Sequence, residues 1–206
     1  LPNVFPSYPD KTDFDIYASM TPAREVGGDF YDFYKLSDTT VVFLAADVSG
    51  KGIPAAMFMM TAKTIIKDLA ESGMAVNDIF TRANDKLCEN NEADMFVTAW
   101  MGILDIQTGN MKYANAGHNP PLLKHADGSF EYLRSRAGFV LAGIEGFNYR
   151  INELQLKAGD RLFLYTDGVP EATNADTKLY GEERLLHFMN QNSTMEATAL
   201  LPSLKA

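Results

Sequence analysis

The chain has 206 residues, 46% hydrophobic and 22% charged, with a formal net charge of −9. That composition supplies an ordinary globular core, excludes disorder, and is enough for one large domain or two small ones; a single domain spanning 1–206 is the expectation. The negative balance disfavours nonspecific attraction to nucleic acid or anionic lipid and leaves local acid clusters as places to hold cations.

A single cysteine, Cys88, excludes an internal disulfide and a cysteine-based zinc cluster, as in an intracellular protein. No run of about 18 apolar residues exists, and the opening LPNVFPSYPDKTDFD lacks a signal-peptide layout. The expectation is a cytoplasmic chain, or the cytoplasmic part of a larger sensor, with no direct membrane contact. Three prolines in the first nine residues and the lack of an initial methionine point to a domain excised from a longer protein.

In chain order, Leu1 to Asp10 reads as an extended lead-in, because each proline lacks a donor and restricts its predecessor. Phe14 to Met20 alternates and predicts a strand, Thr21 to Ala23 a turn, and Glu25 to Lys35 a second strand. Gly27-Gly28 inside that strand signals a bulge or a close backbone approach, clearing space around Asp29. After a turn over Lys35 to Thr40, the β-branched and apolar run Val41 to Ala46 predicts a third strand that ends on Asp47. The small-residue turn Val48 to Gly52 follows.

Ile53 to Ala70 carries helical spacing, with Pro54 in the first turn and Ala55, Phe58, Met59, Ala62, Ile65, Ile66 and Leu69 on one core face. A second helix is expected over Val76 to Glu89, burying Ile79, Phe80, Ala83, Leu87 and Cys88. From Phe96 the period becomes two: FVTAWMGILDI and MKYANA flank a Thr-Gly-Asn hairpin signal. Short strands follow near Pro121 to Lys124, Ser129 to Leu133, Phe147 to Leu156 and Arg161 to Tyr165, then helices at Gly181 to Asn190 and Met195 to Leu204. Segregated strands and helices of this kind predict an α+β layered fold, mostly antiparallel.

Three acids share one setting. Asp29 follows Gly-Gly on a strand, Asp47 and Asp167 stand at predicted strand tips, and both tips lead into glycine-containing turns. Carboxylates held at strand ends suit hard divalent ions such as Mg²⁺ or Mn²⁺, which take oxygen ligands and keep several waters. Two ions sharing a carboxylate and a water would generate a nucleophile for phosphoester hydrolysis without a protein nucleophile. No Cys or Ser stands in a nucleophile motif. Three turn-forming Asp residues unrelated in space remain the alternative.

REVGGDFYD (Arg24 to Asp32), DVSGKG (Asp47 to Gly52) with Pro54-Ala55, Phe96-Val97-Thr98, NAGHNPP (Asn115 to Pro121) and YTDGVPEA (Tyr165 to Ala172) occur in this order. Together they resemble the metal-dependent PPM serine/threonine phosphatases, in the bacterial branch typified by the sporulation stage II E and RsbU-type enzymes. The resemblance implies a four-layer αββα sandwich of two mainly antiparallel sheets flanked by helices. It implies a two-metal enzyme, using Mn²⁺ or Mg²⁺, that dephosphorylates phosphoserine or phosphothreonine on a protein through a metal-activated water. It also implies a partner in signalling, an anti-sigma-factor antagonist.

Carried onto matching positions, Asp47 would bridge both ions and the Val48 carbonyl would bind the second. Asp29 would ligate that second ion, and Asp167 the first. One departure is visible: the family's closing Asp-Asp motif is not among these residues. A noncatalytic regulatory or binding domain on the same scaffold therefore stands as the alternative, beside a generic dinuclear hydrolase of small phosphoesters.

Other motifs weigh less. GGDF at Gly27 to Phe30 matches a cyclase motif in letters but lacks its surroundings, and Lys51 is followed by Gly, not the Ser or Thr of a phosphate loop. Lys51 reads as a solvated charge, His118 as a loop-fixing hydrogen-bonder, Arg24 as a fork donor to substrate phosphate whose strand parity points it away from Asp29's face, and Glu171 as the start of a helix after Pro170.

Overall fold

The computed structural model describes residues 14–21, 27–89 and 91–205. Its elements are β1 (Phe30–Lys35), β2 (Thr40–Val48), α1 (Ile53–Glu71), α2 (Val76–Cys88), β3 (Val97–Asp105), β4 (Asn110–Ala116), β5 (Leu122–Lys124), β6 (Phe130–Tyr132), β7 (Asn152–Gln155), β8 (Arg161–Phe163), α3 (Glu182–Gln191) and α4 (Ala197–Lys205). Two antiparallel sheets and four helices make the chain α+β, as its element order implied. The elements fall into two compact units.

The larger unit, Thr21–Asn119 with Ser135–Leu156, is built on a five-stranded sheet in the order β1-β2-β3-β4-β7. Along β2, alternate side chains Val42, Leu44, Ala46 and Val48 enter one core with the apolar faces of α1 and α2. Ala55, Met59, Ala62, Ile66 and Leu69 of α1 and Ile79, Phe80, Ala83 and Leu87 of α2 meet them there. Phe80 is fully buried, so its truncation to alanine would cost about 3–5 kcal/mol. On the other face of the sheet, Trp100 stacks between Phe43 and Tyr113, with ring centroids 5.9 and 5.1 Å away. Pro54 starts α1 where a missing N–H leaves nothing unsatisfied.

The smaller unit, Leu1–Met20 with Pro120–Arg134 and Lys157–Ala206, carries a three-stranded sheet in the order β6-β5-β8. Leu122, Phe130, Tyr165, Leu185, Met189 and Leu200 form its core. The Asn190 side chain on α3 both accepts from Phe130 N at 2.7 Å and donates to Phe130 O at 3.1 Å, which ties α3 to β6.

Several sequence expectations need correction. Phe14 to Met20 is not a strand: Ile16 and Tyr17 are exposed, so its alternation serves no buried face. The second strand begins at Phe30; its expected start at Glu25 and Val26, like Arg24, lies outside the described residues. The third runs two residues further than its apolar run, because Asp47 and Val48 pair with Thr98 and Val97 across β3.

Only Asn152–Gln155 of Phe147 to Leu156 is strand. Phe147 and Tyr149 pack edge to face with each other, and Tyr149 with Phe80, so their spacing reports core packing instead of a ladder. Cys88 is half-buried on the edge of the α2 face. Glu171 does not start a helix: its N–H donates to Asp167 O at 2.9 Å, closing one turn that does not continue.

Candidate metal centre

β2 delivers Asp47. Its nine residues all pair with β3, and Val41 to Ala46 pair with β1 as well, so Asp47 sits one residue before the strand's end, in the ladder with β3 and just past the last pair with β1. Because side chains alternate across a strand, Asp47 points away from the α1/α2 core, on the face of Phe43 and Ala45, and is half-buried. Immediately after the strand, Ser49 N donates to Phe96 O at 2.9 Å, and Gly50 and Gly52 take left-handed φ values of 88° and 76° into α1. A side chain at either position would be strained, so the sharp exit after Asp47 depends on glycine there.

Asp29 arrives from the segment preceding β1, in the same unit. One of its carboxylate oxygens lies within 4.8 Å of one from Asp47. Two carboxylate charges at that separation repel by on the order of 3 kcal/mol at an effective dielectric of about 20. A cation held between them relieves that cost.

Gly28 explains how the segment comes so close. A Cβ built on it would stand 2.5 Å from the Val48 carbonyl oxygen and 3.1 Å from the Val48 side chain. The glycine thus clears space around a main-chain carbonyl, where the sequence had suggested only room for Asp29 itself. Two carboxylates and a neighbouring carbonyl would offer an all-oxygen donor set, suited to Mg²⁺ or Mn²⁺ and unsuited to soft metals.

Asp167 belongs to the smaller unit. Its position differs from the expected strand tip, because β8 ends at Phe163 and Asp167 opens a turn four residues later, exposed. The turn is closed by Val169 N donating to Thr166 O at 3.1 Å and by the Glu171 bond already described. The structure therefore brings Asp29, Asp47 and the Val48 carbonyl together within one unit and carries Asp167 on a turn of the other.

His118 is 5% exposed and locked, as a loop-fixing residue should be. Its N–H donates to Asn115 Oδ1 at 2.8 Å, Asn115 Nδ2 donates back to His118 O at 3.0 Å, and its Nδ1 pairs with Thr98 Oγ1 at 2.9 Å. Thr98 stands directly opposite Asp47 in the β2–β3 register, and only the register reveals it. Within the sequence Thr98 was one letter of a motif with no role attached. Lys51 is exposed, as a solvated charge.

The family model described as Stage II sporulation protein E (SpoIIE) matches residues 37–206. The chain belongs to the SpoIIE family. Among its relatives, Protein IcfG of Synechocystis is 30% identical over 221 residues, covering 94% of this chain and 35% of that protein. Phosphoserine phosphatase RsbU of Bacillus subtilis is 32% identical over 164 residues, covering 79% of this chain and 48% of RsbU. This SpoIIE-family chain thus spans between a third and a half of the length of those relatives. The SiaA-PP2C domain of Pseudomonas aeruginosa superposes with a TM-score of 0.73 at 20% identity, over 86% of this chain and 73% of that one. That likeness identifies the fold as PP2C-type. Among the described residues no helix is long and apolar enough to cross a membrane.

Proposed function

We propose that this SpoIIE-family chain is a Mn²⁺- or Mg²⁺-dependent protein phosphatase that removes phosphate from phosphoserine or phosphothreonine on a cytoplasmic signalling partner, an anti-sigma-factor antagonist. The observation that carries the proposal is the pairing of Asp29 and Asp47 beside a glycine-cleared Val48 carbonyl. Family membership supports the activity, since RsbU is named a phosphoserine phosphatase. The four ligands assigned by motif are Asp29, Asp47, Val48 through its carbonyl, and Asp167.

In this scheme Asp47 would be shared by two ions, Asp29 and the Val48 carbonyl would hold the second, and Asp167 would hold the first. The ions, when bound, supply Lewis-acid polarisation of the phosphoryl group and water acidic enough to attack it near neutral pH. The chain's own residues hold and orient them. Asp47 is held in the ladder by its pairing with Thr98 of β3, next to the last β1 pair at Ala46, so its carboxylate needs little reorganisation when charge develops on the phosphoryl oxygens. Gly28 keeps the Val48 carbonyl open. The turn after Val48 takes left-handed φ values at Gly50 and Gly52, which lets the chain leave β2 sharply toward α1.

The test is phosphate release from a phosphoserine-bearing partner protein with and without Mn²⁺. Activity that vanishes with chelator and in Asp47→Asn supports the scheme. Activity that survives both removes the metal from the mechanism, and calorimetry showing no Mn²⁺ uptake by the intact chain would instead favour a binding domain without catalysis.

A further inference from the structure

The antiparallel register sets Asp47 against Thr98, so both side chains leave the same face of the sheet. Directly opposed residues carry their Cβ atoms about 4.5–5.5 Å apart, within reach of a hydroxyl and a carboxylate. Thr98 is therefore the cross-strand neighbour of the proposed bridging ligand. Its other neighbour is His118, whose Nδ1 lies 2.9 Å from Thr98 Oγ1.

That imidazole has little freedom. Reciprocal hydrogen bonds with Asn115 fix the main chain of His118 from both sides, and Asn115, itself 6% exposed, is held in β4 opposite Trp100. The hydroxyl of Thr98 is thus aimed by a buried, anchored ring. A valine would fill nearly the same volume in a ladder whose next residues are Val97, Ala99, Trp100 and Met101, all buried. Keeping a hydroxyl and an imidazole at that place costs desolvation that an apolar pair would avoid. Fixing the loop alone accounts for the Asn115 bonds but not for Thr98 being polar.

We propose that Thr98 and His118 are positioning residues for Asp47, holding the bridging carboxylate in the orientation that binds metal. The proposal rests on the metal assignment made above. Groups that orient a ligating side chain usually contribute 10- to 100-fold in metal affinity, and that is the size expected here.

Calorimetric titration of the intact chain with Mn²⁺ tests it, using Thr98→Val, Thr98→Ala, Thr98→Ser, His118→Phe and His118→Asn. Thermal unfolding without metal selects the variants that keep the wild-type fold. Thr98→Val and Thr98→Ala should weaken Mn²⁺ binding by about 10- to 100-fold, and Thr98→Ser should restore it to within a few-fold. His118→Asn, which can place an amide near the Nδ1 position, should lose less than His118→Phe. A folded Thr98→Val or Thr98→Ala variant with wild-type Mn²⁺ affinity overturns the proposal, as does equal weakening in Thr98→Ser. Failure of the wild-type chain to take up Mn²⁺ is a different result: it overturns the metal assignment itself.

Discussion

Asp47 and Asp167 are delivered in opposite ways. Asp47 lies within a nine-residue strand, paired with Thr98 of β3 and one residue past the last β1 pair, its neighbours Ala46 and Val48 buried and its exit fixed by two left-handed glycines. Asp167 sits exposed on a turn four residues beyond a three-residue strand, held by two main-chain hydrogen bonds. A ladder residue keeps its geometry whether or not a ligand is present, whereas a turn residue can adjust. The proposed scheme puts the shared carboxylate at the rigid position and the single-ion ligand at the adaptable one, and the substitutions below separate those roles.

The largest effect belongs to Asp47→Asn. Removing the shared carboxylate should lower phosphate release by about a thousandfold or more, the several kcal/mol that a metal's charge stabilisation contributes. Mn²⁺ calorimetry should show both binding events lost, with thermal unfolding of the metal-free protein unchanged or slightly improved, because the repulsion with Asp29 is gone. Retained two-ion binding would break the assignment. Asp167→Asn should cost about a hundredfold, near the upper end for groups that support a metal, and should abolish one binding event while sparing the other. If it removes both events, the two acids are equivalent and the contrast fails.

Gly28→Ala sharpens the rigid side. The new Cβ would meet the Val48 carbonyl 2.5 Å away, and main chain within a ladder cannot yield cheaply. Overpacking of this kind costs about 1–3 kcal/mol, which in a chain of this length lowers Tm by about 2–4 °C per kcal/mol. Mn²⁺ affinity should fall with it. A destabilised Gly28→Ala protein that binds Mn²⁺ as the wild type does would show that the Val48 carbonyl is no ligand.

How much of this was legible in the sequence follows from what each signal reports. The helices were read to within a few residues because the 3.6-residue spacing of Ala55, Met59, Ala62 and Ile66 depends on a single core face. Asp47 was read at the tip of its strand, just past the apolar run Val41 to Ala46, and the structure carries the ladder through it to Val48; the pairing with Thr98 that does so is set by a distant segment. Asp167 was read as a strand tip from the apolar run RLFLYT, but β8 is only three residues long and Tyr165 turns into the core with Leu185 and Met189. Gly28 was flagged for the correct reason, close backbone approach, with the wrong beneficiary, since local sequence cannot show which distant carbonyl lies above it. The role proposed for Thr98 was invisible for the same reason.

One corner of the smaller unit is fixed by a buried carboxylate, and this gives the smallest and most specific expectation. Asp160 has a side chain only 2% exposed; its carboxylate accepts from Ala126 N and Lys157 N at 3.0 Å each and pairs with His125 Nδ1 at 3.0 Å. Lys124 adds to the same corner by donating to the carbonyls of His125 and Ala126. Burial alone would raise the Asp160 carboxyl, but the hydrogen bonds from Lys157, His125 and Ala126 outweigh it and hold the group below its ordinary value. A depressed folded value means the carboxylate stabilises the folded state above the unfolded pKa of about 4, and that the contribution disappears as pH falls through the folded value. Asp160→Asn should therefore lower stability by about 1–2 kcal/mol near neutral pH, since the amide still accepts one bond but loses the charge. The gap in urea midpoint between variant and wild type should narrow as pH falls from about 5 toward 3. Mn²⁺ binding, assigned to residues elsewhere in the chain, should not change. A gap that stays constant over that range would mean the corner is held by packing around the turn, and that the charge of Asp160 contributes nothing.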